Sequence, residues 1–242
     1  MRFLAPLLAA LALVCPLKAF EIPADTTQLI VGVAADWNSS HVTLTAWERQ
    51  GTTWRQVIAP WPGRLGKNGL VWGLGIHPLP AGMKLKAEGD GRAPAGVFEL
   101  GDAWGSAPAI RKLPALRYRQ VTPRDLWVED PKSPQYNRHV ALDQPPSTAW
   151  EKKQQMKQND PAHALKLFIK HNAEPNIRPG AGSAIFFHIW RRGGNSPSAG
   201  CTTMDPAKLQ GLVAWVDPTR KPLYVLLPKS EYDTYRPIWK LP

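Results

Sequence analysis

Apolar and polar residues alternate along the first quarter of the chain in a way that predicts β-strands. Residues 29–33 form a short apolar run, and in residues 42–47 apolar side chains alternate with polar or amphipathic ones. A period of two places every second side chain on the same face of a sheet. A turn centred on Gly51 separates this strand from residues 54–58, so the region predicts a β-hairpin.

Four further segments predict strands in the rest of the chain. Residues 97–100 follow a tight turn rich in glycine and proline, and residues 223–227 form an apolar segment typical of a closing strand. In residues 165–170, Lys166 alternates with apolar neighbours and should lie on the opposite face from them. Residues 184–189 are almost wholly apolar, which indicates a central strand covered on both faces.

Two helices are predicted from their starting signals. Thr148 and Glu151 have the spacing of a capping box, which predicts a helix that ends at about Gln158. Asp205 and Pro206 suit the N-cap and first position of a second helix. Its apolar residues recur at i, i+3, i+4 and i+7, so one face should be buried. These residues are Leu209, Leu212, Val213 and Val216. Because strands outnumber these two helices among the predicted elements, the expected fold class is mainly β.

The first 19 residues have the layout of a secretory signal peptide. Arg2 precedes an apolar run at residues 3–14, which is too short to span a membrane, and Ala19 ends a plausible cleavage site. Cys15 leaves a lipoprotein leader as an alternative, but Val14 stands where a lipobox needs a small residue. We expect a periplasmic or secreted protein with one domain over residues 20–242 and no transmembrane segment.

Charge and cysteine content narrow the range of partners. The formal net charge of +11 favours anionic partners such as cell-wall polymers, and nucleic acid is not expected as a partner outside the cytoplasm. After removal of the leader, Cys201 would be the one remaining cysteine. An unpaired cysteine in an exported protein indicates a reactive thiol, intermolecular pairing or an inert buried residue.

The surroundings of Cys201 favour a reactive thiol. His188 lies near the end of an apolar strand, a glycine-containing loop follows, and Ser198-Ala-Gly200-Cys201 precedes the helix predicted at Asp205. The histidine could act as a general base, the helix N-terminus could lower the pKa of the thiol, and backbone N–H groups of the turn could bind an oxyanion. The alternative is a structural histidine and a buried cysteine. No spacing typical of metal ligands is present, and no cofactor is expected.

These motifs resemble the L,D-transpeptidase catalytic domain family, also called YkuD-like. The family signature is a histidine on a strand, a loop and a Ser/Thr-x-Gly-Cys turn, which is met here by His188 and residues 198–201. Residues 88–98 resemble its glycine–proline segment, and residues 136–138 and 182–188 resemble a secreted branch. The likeness spans roughly residues 29–227.

The resemblance implies a β-sandwich of mixed sheets with two or so short helices and a cysteine turn at the edge of a cleft. It implies that Cys201 is the nucleophile and His188 the general base. The chain carries Ile189, Ala199 and Thr203 where many members have glycine, histidine and arginine.

The implied substrate is a peptidoglycan stem peptide, cleaved between the L-centre of a diamino acid and a terminal D-alanine. Transfer of the acyl group to an amine would be transpeptidation, and transfer to water would be carboxypeptidase or endopeptidase activity. A non-catalytic wall-binding module is the alternative from another class.

Further site residues follow from the same resemblance. Tyr136, Asn137 and Arg138 could line the cleft and bind a stem-peptide carboxylate, for which arginine has a suitable fork. Trp190 could form the floor of the site. Surface-loop and packing roles are the alternatives for these four. Ser198, with Gly200, is expected either at the oxyanion site or in hydrogen bonds that hold the turn.

Overall fold

The structure, a computed structural model, describes residues 20–242. The predicted leader, with Cys15, lies outside these residues. The strands are β1 (Gln28–Ala34), β2 (His41–Gln50), β3 (Thr53–Arg64), β4 (Leu70–Trp72), β5 (Ala93–Gly105), β6 (Tyr118–Gln120), β7 (Asp125–Trp127), β8 (His139–Ala141), β9 (Leu165–Ile169), β10 (Phe186–Ile189), β11 (Thr202–Met204) and β12 (Leu223–Pro228). The helices are α1 (Ala149–Gln154), α2 (Pro206–Trp215) and α3 (Lys229–Trp239).

The main sheet closes on itself. Its strand order is β12-β1-β2-β3-β11-β10-β9-β5-β4, and β12 also pairs with β5. The sheet is mixed: the pairs β1–β12, β10–β11, β4–β5 and β5–β6 are parallel, and the other pairs are antiparallel. The prediction of a mainly β fold with mixed sheets is confirmed, and the two layers are opposite sides of one closed sheet. Strands β7 and β8 form a separate hairpin beside it.

The main hydrophobic core fills the inside of this sheet and continues under α2. Every residue of β12 is buried, as is every residue of β1 except Val33. Leu209, Leu212 and Val213 of α2 are buried against the sheet, as the helical spacing predicted. Such side chains each contribute roughly 1.5–3 kcal/mol of burial free energy.

A second, smaller hydrophobic cluster lies on the opposite face of β9 and β10. It contains Trp104, Val121, Trp127, Met156 and Phe186, with Phe168, Ala184 and Cys201 packed against it. The cluster covers the face of β9 that carries Lys166, whose side chain is consequently buried and only 4% exposed.

The helices differ from prediction in three respects. The capping box at Thr148 is present, but α1 ends at Gln154 rather than near Gln158. A short strand, β11, separates Cys201 from α2, so the thiol does not lie at a helix N-terminus. Helix α3 was not predicted, although Trp239 on it is buried. Within residues 20–242, no helix combines the length and apolar character needed to cross a bilayer.

Candidate active site

The parallel pairing of β10 and β11 places the candidate nucleophile and base on one face of the sheet. Phe187 pairs with Thr202, and His188 pairs with Thr203. Successive side chains of a strand point to opposite faces. Cys201, one residue before Thr202, therefore lies on the same face as His188, toward the second cluster. The structure thus places on one face two residues that are 13 positions apart in the sequence.

The Cys201 thiol is held by two backbone groups of the neighbouring strand. Its Sγ accepts a hydrogen bond from the Phe186 N–H and donates one to the Ala184 carbonyl, each at 3.4 Å. The residue is half-buried and forms no disulfide. Burial raises the pKa of the thiol to about 11, against the opposing effect of the Phe186 N–H. The resting residue is consequently a neutral thiol.

The expected lowering of the thiol pKa by a helix N-terminus is wrong. Strand β11 lies between the thiol and α2, and the Asp205 carboxylate already accepts hydrogen bonds from the N–H groups of Ala207 and Lys208 at the start of this helix. The effect of a helix dipole is confined to the terminal turn.

Ser198 holds the cysteine turn in place. Its hydroxyl donates to the Cys201 carbonyl at 2.6 Å and accepts from the Gly200 N–H at 3.0 Å. Its backbone pairs with the loop after β3, through Leu65 and Lys67. Both groups predicted at the oxyanion site are therefore engaged within the turn, and the oxyanion role stays a prediction.

Gly200 is required at the turn for steric reasons. It has a φ of 156°, and a Cβ at this position would lie 3.0 Å from the Arg92 carbonyl oxygen. Any larger residue would push the turn, and Cys201 with it, away from the sheet.

His188 is a buried, neutral imidazole with one assigned tautomer. Its Nδ1 donates to the Ile189 carbonyl at 2.8 Å, because a carbonyl can only accept. In this tautomer Nε2 has the lone pair, and the backbone of Ala162 also lies near the ring. Burial lowers the pKa of His188 to about 4, although the Ile189 carbonyl raises it. A backbone carbonyl thus orients the ring.

A second histidine, His163, stacks on His188 and was not predicted from the sequence. The ring centroids are 5.0 Å apart and the planes differ by 24°. Arg191 donates to the His163 Nε2 at 3.1 Å and forms an ion pair with Asp160. Burial lowers the pKa of His163 to about 3, and His188 lowers it further. The stack therefore restrains the plane of His188 without adding a charge. No local motif marks His163, since only the fold brings it to the site.

Asn137 is buried and supports the strand that carries the thiol contacts. Its side-chain oxygen accepts from the Ala184 N–H at 3.0 Å and from the Trp127 indole, and its amide donates to the carbonyls of His171 and Asn172. All four hydrogen-bonding positions of the side chain are occupied. The Asn137 side chain therefore has no free position for a ligand. It supports the backbone at Ala184.

The other predicted binding residues lie in different surroundings. Tyr136 is buried, and its hydroxyl donates to Glu88, which also accepts from Ser183 at 2.7 Å. Arg138 is half-exposed and its Nε pairs with Glu174 at 2.7 Å. Trp190 is half-buried against Gly194 in the loop after β10. Their contacts with a substrate stay predictions.

Two buried lysines lie near the thiol and were not predicted as site residues. Lys86 is 6% exposed and forms an ion pair with Asp90 at 2.6 Å, close to Gly200. Lys166 is on β9 directly opposite His188. Both positive charges lower the pKa of Cys201, against the larger effect of burial. Over residues 20–242, no group of three or more His, Cys, Asp or Glu side chains is placed to hold a metal ion.

One family model and two solved structures of the same protein are similar to this chain. Residues 33–225 match the family model described as YkuD, the L,D-transpeptidase catalytic domain. Among solved structures, the helical cell shape determining protein Pgp2 from Campylobacter jejuni is similar at 13% identity and a TM-score of 0.40, and a mutant of it gives the same values. The match covers 88% of this chain and 51% of Pgp2, so the chain spans about half the length of that protein. No curated protein sequence matches.

Proposed function

The chain belongs to the L,D-transpeptidase catalytic domain family, and on that premise we propose that it modifies peptidoglycan as a cysteine acyltransferase. Cys201 forms the acyl-enzyme with a stem peptide, and His188 is the general base. Export by the leader at residues 1–19 is part of the proposal, because the substrate lies outside the cytoplasm.

One observation carries this proposal. The half-buried thiol of Cys201 and the imidazole of His188 lie on one face of a parallel strand pair, and the imidazole keeps its Nε2 lone pair because Nδ1 donates to the Ile189 carbonyl. Neutral thiol and neutral imidazole are the protonation states from which general-base catalysis begins.

The proposed reaction has two steps. In the first, the S–H proton of Cys201 moves to Nε2 of His188 as sulfur bonds to the carbonyl carbon of the diamino acid. The C–N bond to D-alanine then breaks, and the leaving amine takes the proton from the imidazolium. In the second step, an amine or a water molecule loses a proton to Nε2 and attacks the thioester, which restores the thiol.

The second step decides between two activities. Transfer to the amine of another stem peptide forms a cross-link, whereas transfer to water trims or cleaves the peptide. A wall-binding module without catalysis is the candidate from a different class, and a thiol and an imidazole on one face of the same strand pair favour an enzyme over it.

Mass spectrometry of the mature protein with purified disaccharide-tetrapeptides tests the proposal. Cross-linked dimers that are absent with Cys201→Ala would support transpeptidation, and tripeptides alone would support carboxypeptidase activity. The variant should stay folded, because the residue contributes two weak sulfur hydrogen bonds. Retention of turnover in Cys201→Ala would overturn the mechanism. Absence of any product with the unaltered protein would favour the binding module.

A further inference from the structure

Lys166 is a buried lysine without an ion-pair partner. Its side chain is 4% exposed, and its Nζ donates one long hydrogen bond, 3.5 Å, to the Met156 carbonyl. Within residues 20–242 it forms no salt bridge. Lysines are almost never fully buried unless they are paired, because desolvation of the charge costs free energy. The chain could avoid this cost with an apolar residue of similar shape.

Lys166 lies on the face of the sheet that carries the Cys201 thiol. On β9 it pairs with His188 on one side and with Trp104 of β5 on the other, so it shares their face of the sheet. Its Nζ lies 5.5 Å from the centre of the Phe186 ring. The N–H of the same Phe186 contacts the Cys201 Sγ at 3.4 Å. Phe186 therefore contacts both groups, the ammonium through its ring and the sulfur through its backbone N–H.

The charges around Lys166 come from several elements. Burial lowers the pKa of Lys166 to about 8, while Cys201 and Glu129, which follows β7, raise it. Glu129 also raises the pKa of the Cys201 thiol, so the ammonium of Lys166 opposes its charge there. His188 on β10 and His163 before β9 feel its positive charge, which lowers the pKa of each ring. Near neutral pH both histidines are neutral, so the positive charges near this face come from Lys166, which is buried, and from Arg119 and Arg191, which are more exposed and lie over Trp104 and beside His163.

We infer that Lys166 is a positioning charge whose ammonium stabilises the Cys201 thiolate as the proton leaves sulfur. The S–H proton passes to Nε2 of His188, and the lysine keeps all three of its protons throughout. The inference rests on the proposed function only for its effect on turnover, since the reactivity of the thiol can be measured without a wall substrate.

Lys86 has a different electrostatic position. It lies near the same turn, but Asp90 neutralises it at 2.6 Å. Lys170, just after β9, is exposed and pairs with Glu99 at 3.2 Å. Lys170→Met is therefore the matched control, because it removes the same charge four residues away without touching the second cluster.

The test is the rate of Cys201 alkylation by iodoacetamide as a function of pH, in which the thiolate displaces iodide. Against the unaltered protein, Lys166→Met should react about tenfold more slowly near neutral pH, corresponding to a rise of about one unit in the thiol pKa. The difference should shrink as the pH rises through about 8, because the lysine then loses its own charge. Lys166→Arg should restore the rate and keep it above that pH.

Stability distinguishes this role from a structural one. Lys166→Met should be as stable as the unaltered protein or more so, because methionine removes a buried charge without a partner. A structural lysine would give the reverse, a less stable variant with an unchanged alkylation profile. Equal profiles for Lys166→Met, Lys170→Met and the unaltered protein would overturn the inference. A shifted profile in a protein that makes no peptidoglycan product would overturn the proposed function and leave this inference standing.

Discussion

Phe186 and Phe187 are neighbours on β10 but lie on opposite faces of the sheet, in different surroundings. Phe187 packs on Tyr224 of β12, with ring centroids 4.6 Å apart, in the main core. Phe186 packs on Trp127 at 4.9 Å in the second cluster, beside Cys201 and under Lys166.

The two faces differ in the kind of group that they enclose. On the Phe187 face the Tyr224 hydroxyl has Thr202 as a partner at 3.0 Å, among otherwise apolar side chains. On the Phe186 face the second cluster borders the Cys201 thiol and covers the buried ammonium of Lys166. Unsatisfied buried N–H groups occur on both sides, at Trp61 in the main core and at Trp104 in the second cluster. The main core is therefore mostly apolar packing, whereas the second cluster surrounds groups that can ionise.

The largest expected effect is the fall in turnover when the proposed base, His188 on the Phe186 face, is replaced. His188→Gln keeps a polar side chain but removes the titratable nitrogen, so turnover should fall by about 10²–10⁴-fold. Turnover of disaccharide-tetrapeptide near neutral pH measures this effect, with circular dichroism as the check on folding. Near-normal turnover would remove His188 from the mechanism.

The two phenylalanines separate stability from reactivity. Phe187→Ala should lower the free energy of unfolding by about 3–5 kcal/mol, because it opens a cavity in the main core, and should leave Cys201 alkylation in the folded protein unchanged. Phe186→Ala should instead accelerate alkylation, because water reaches the sulfur and the thiol pKa falls from about 11.

Urea unfolding and iodoacetamide kinetics on both phenylalanine variants provide the comparison. Equal alkylation rates for the two variants would mean that the Phe186 face does not control the reactivity of Cys201 any more than the Phe187 face does.

A smaller effect is expected at the support beneath Ala184. Asn137→Leu leaves the Ala184 N–H and the Trp127 indole without their acceptor, so the free energy of unfolding should fall by about 2–3 kcal/mol. Arg138→Ala, at the next residue, removes an exposed ion pair and should change stability by at most about 0.5 kcal/mol. Urea unfolding measures both. A larger loss at Arg138 than at Asn137 would contradict the assignment of support to the amide.

The last expected effect is a pH dependence of stability that arises from two buried histidines. In the unfolded chain a histidine ionises near pH 6.5, whereas burial lowers the pKa of His188 to about 4 and that of His171 to about 3 in the folded protein. The unfolded state therefore binds protons first. The stability from these neutral rings is complete above pH 6.5 and is lost as the pH falls toward 4, by about 1.4 kcal/mol per pH unit for each histidine.

His188→Gln should reduce the slope of the free energy of unfolding against pH by the contribution of one histidine, about 1.4 kcal/mol per pH unit. The free energy of unfolding in urea at several pH values between about 7 and 5 measures it. The slope would stay the same if His188 were already protonated in the folded state.

Periodicity predicted most of the strands because their patterns are local. The hairpin of β2 and β3, the apolar β10 and the closing β12 follow from alternation and from runs of apolar residues. Closure of the sheet was not predictable, since it depends on pairing of β12 with β5, more than a hundred residues away. Helix α3 was missed because Pro237 lies inside it, in the last turn.

The candidate site was predicted only as far as its motif extends. Cys201, His188 and Ser198 belong to one short segment, and the structure places them around one turn. Lys166 and His163 were not recognised, because strand alternation places a lysine on a face without saying what covers it. The second cluster that buries Lys166 is assembled from β5, the β7 region and β10.

The anchoring of Ser198 has a consequence for how the protein can diversify. Its backbone is fixed to the loop after β3 by two hydrogen bonds of 2.8 and 2.9 Å, and its hydroxyl holds the Cys201 carbonyl. The segment between Ile189 and Ser198 therefore starts and ends at fixed points. Arg191, near its start, contacts His163 and Asp160, so the first part of the segment is tied to the histidine stack. Substitutions between Asn195 and Pro197 should change the surface near the sulfur while Ser198 keeps the turn in place. Under the proposed function, this short stretch is where a change of acyl acceptor could be engineered without moving Cys201.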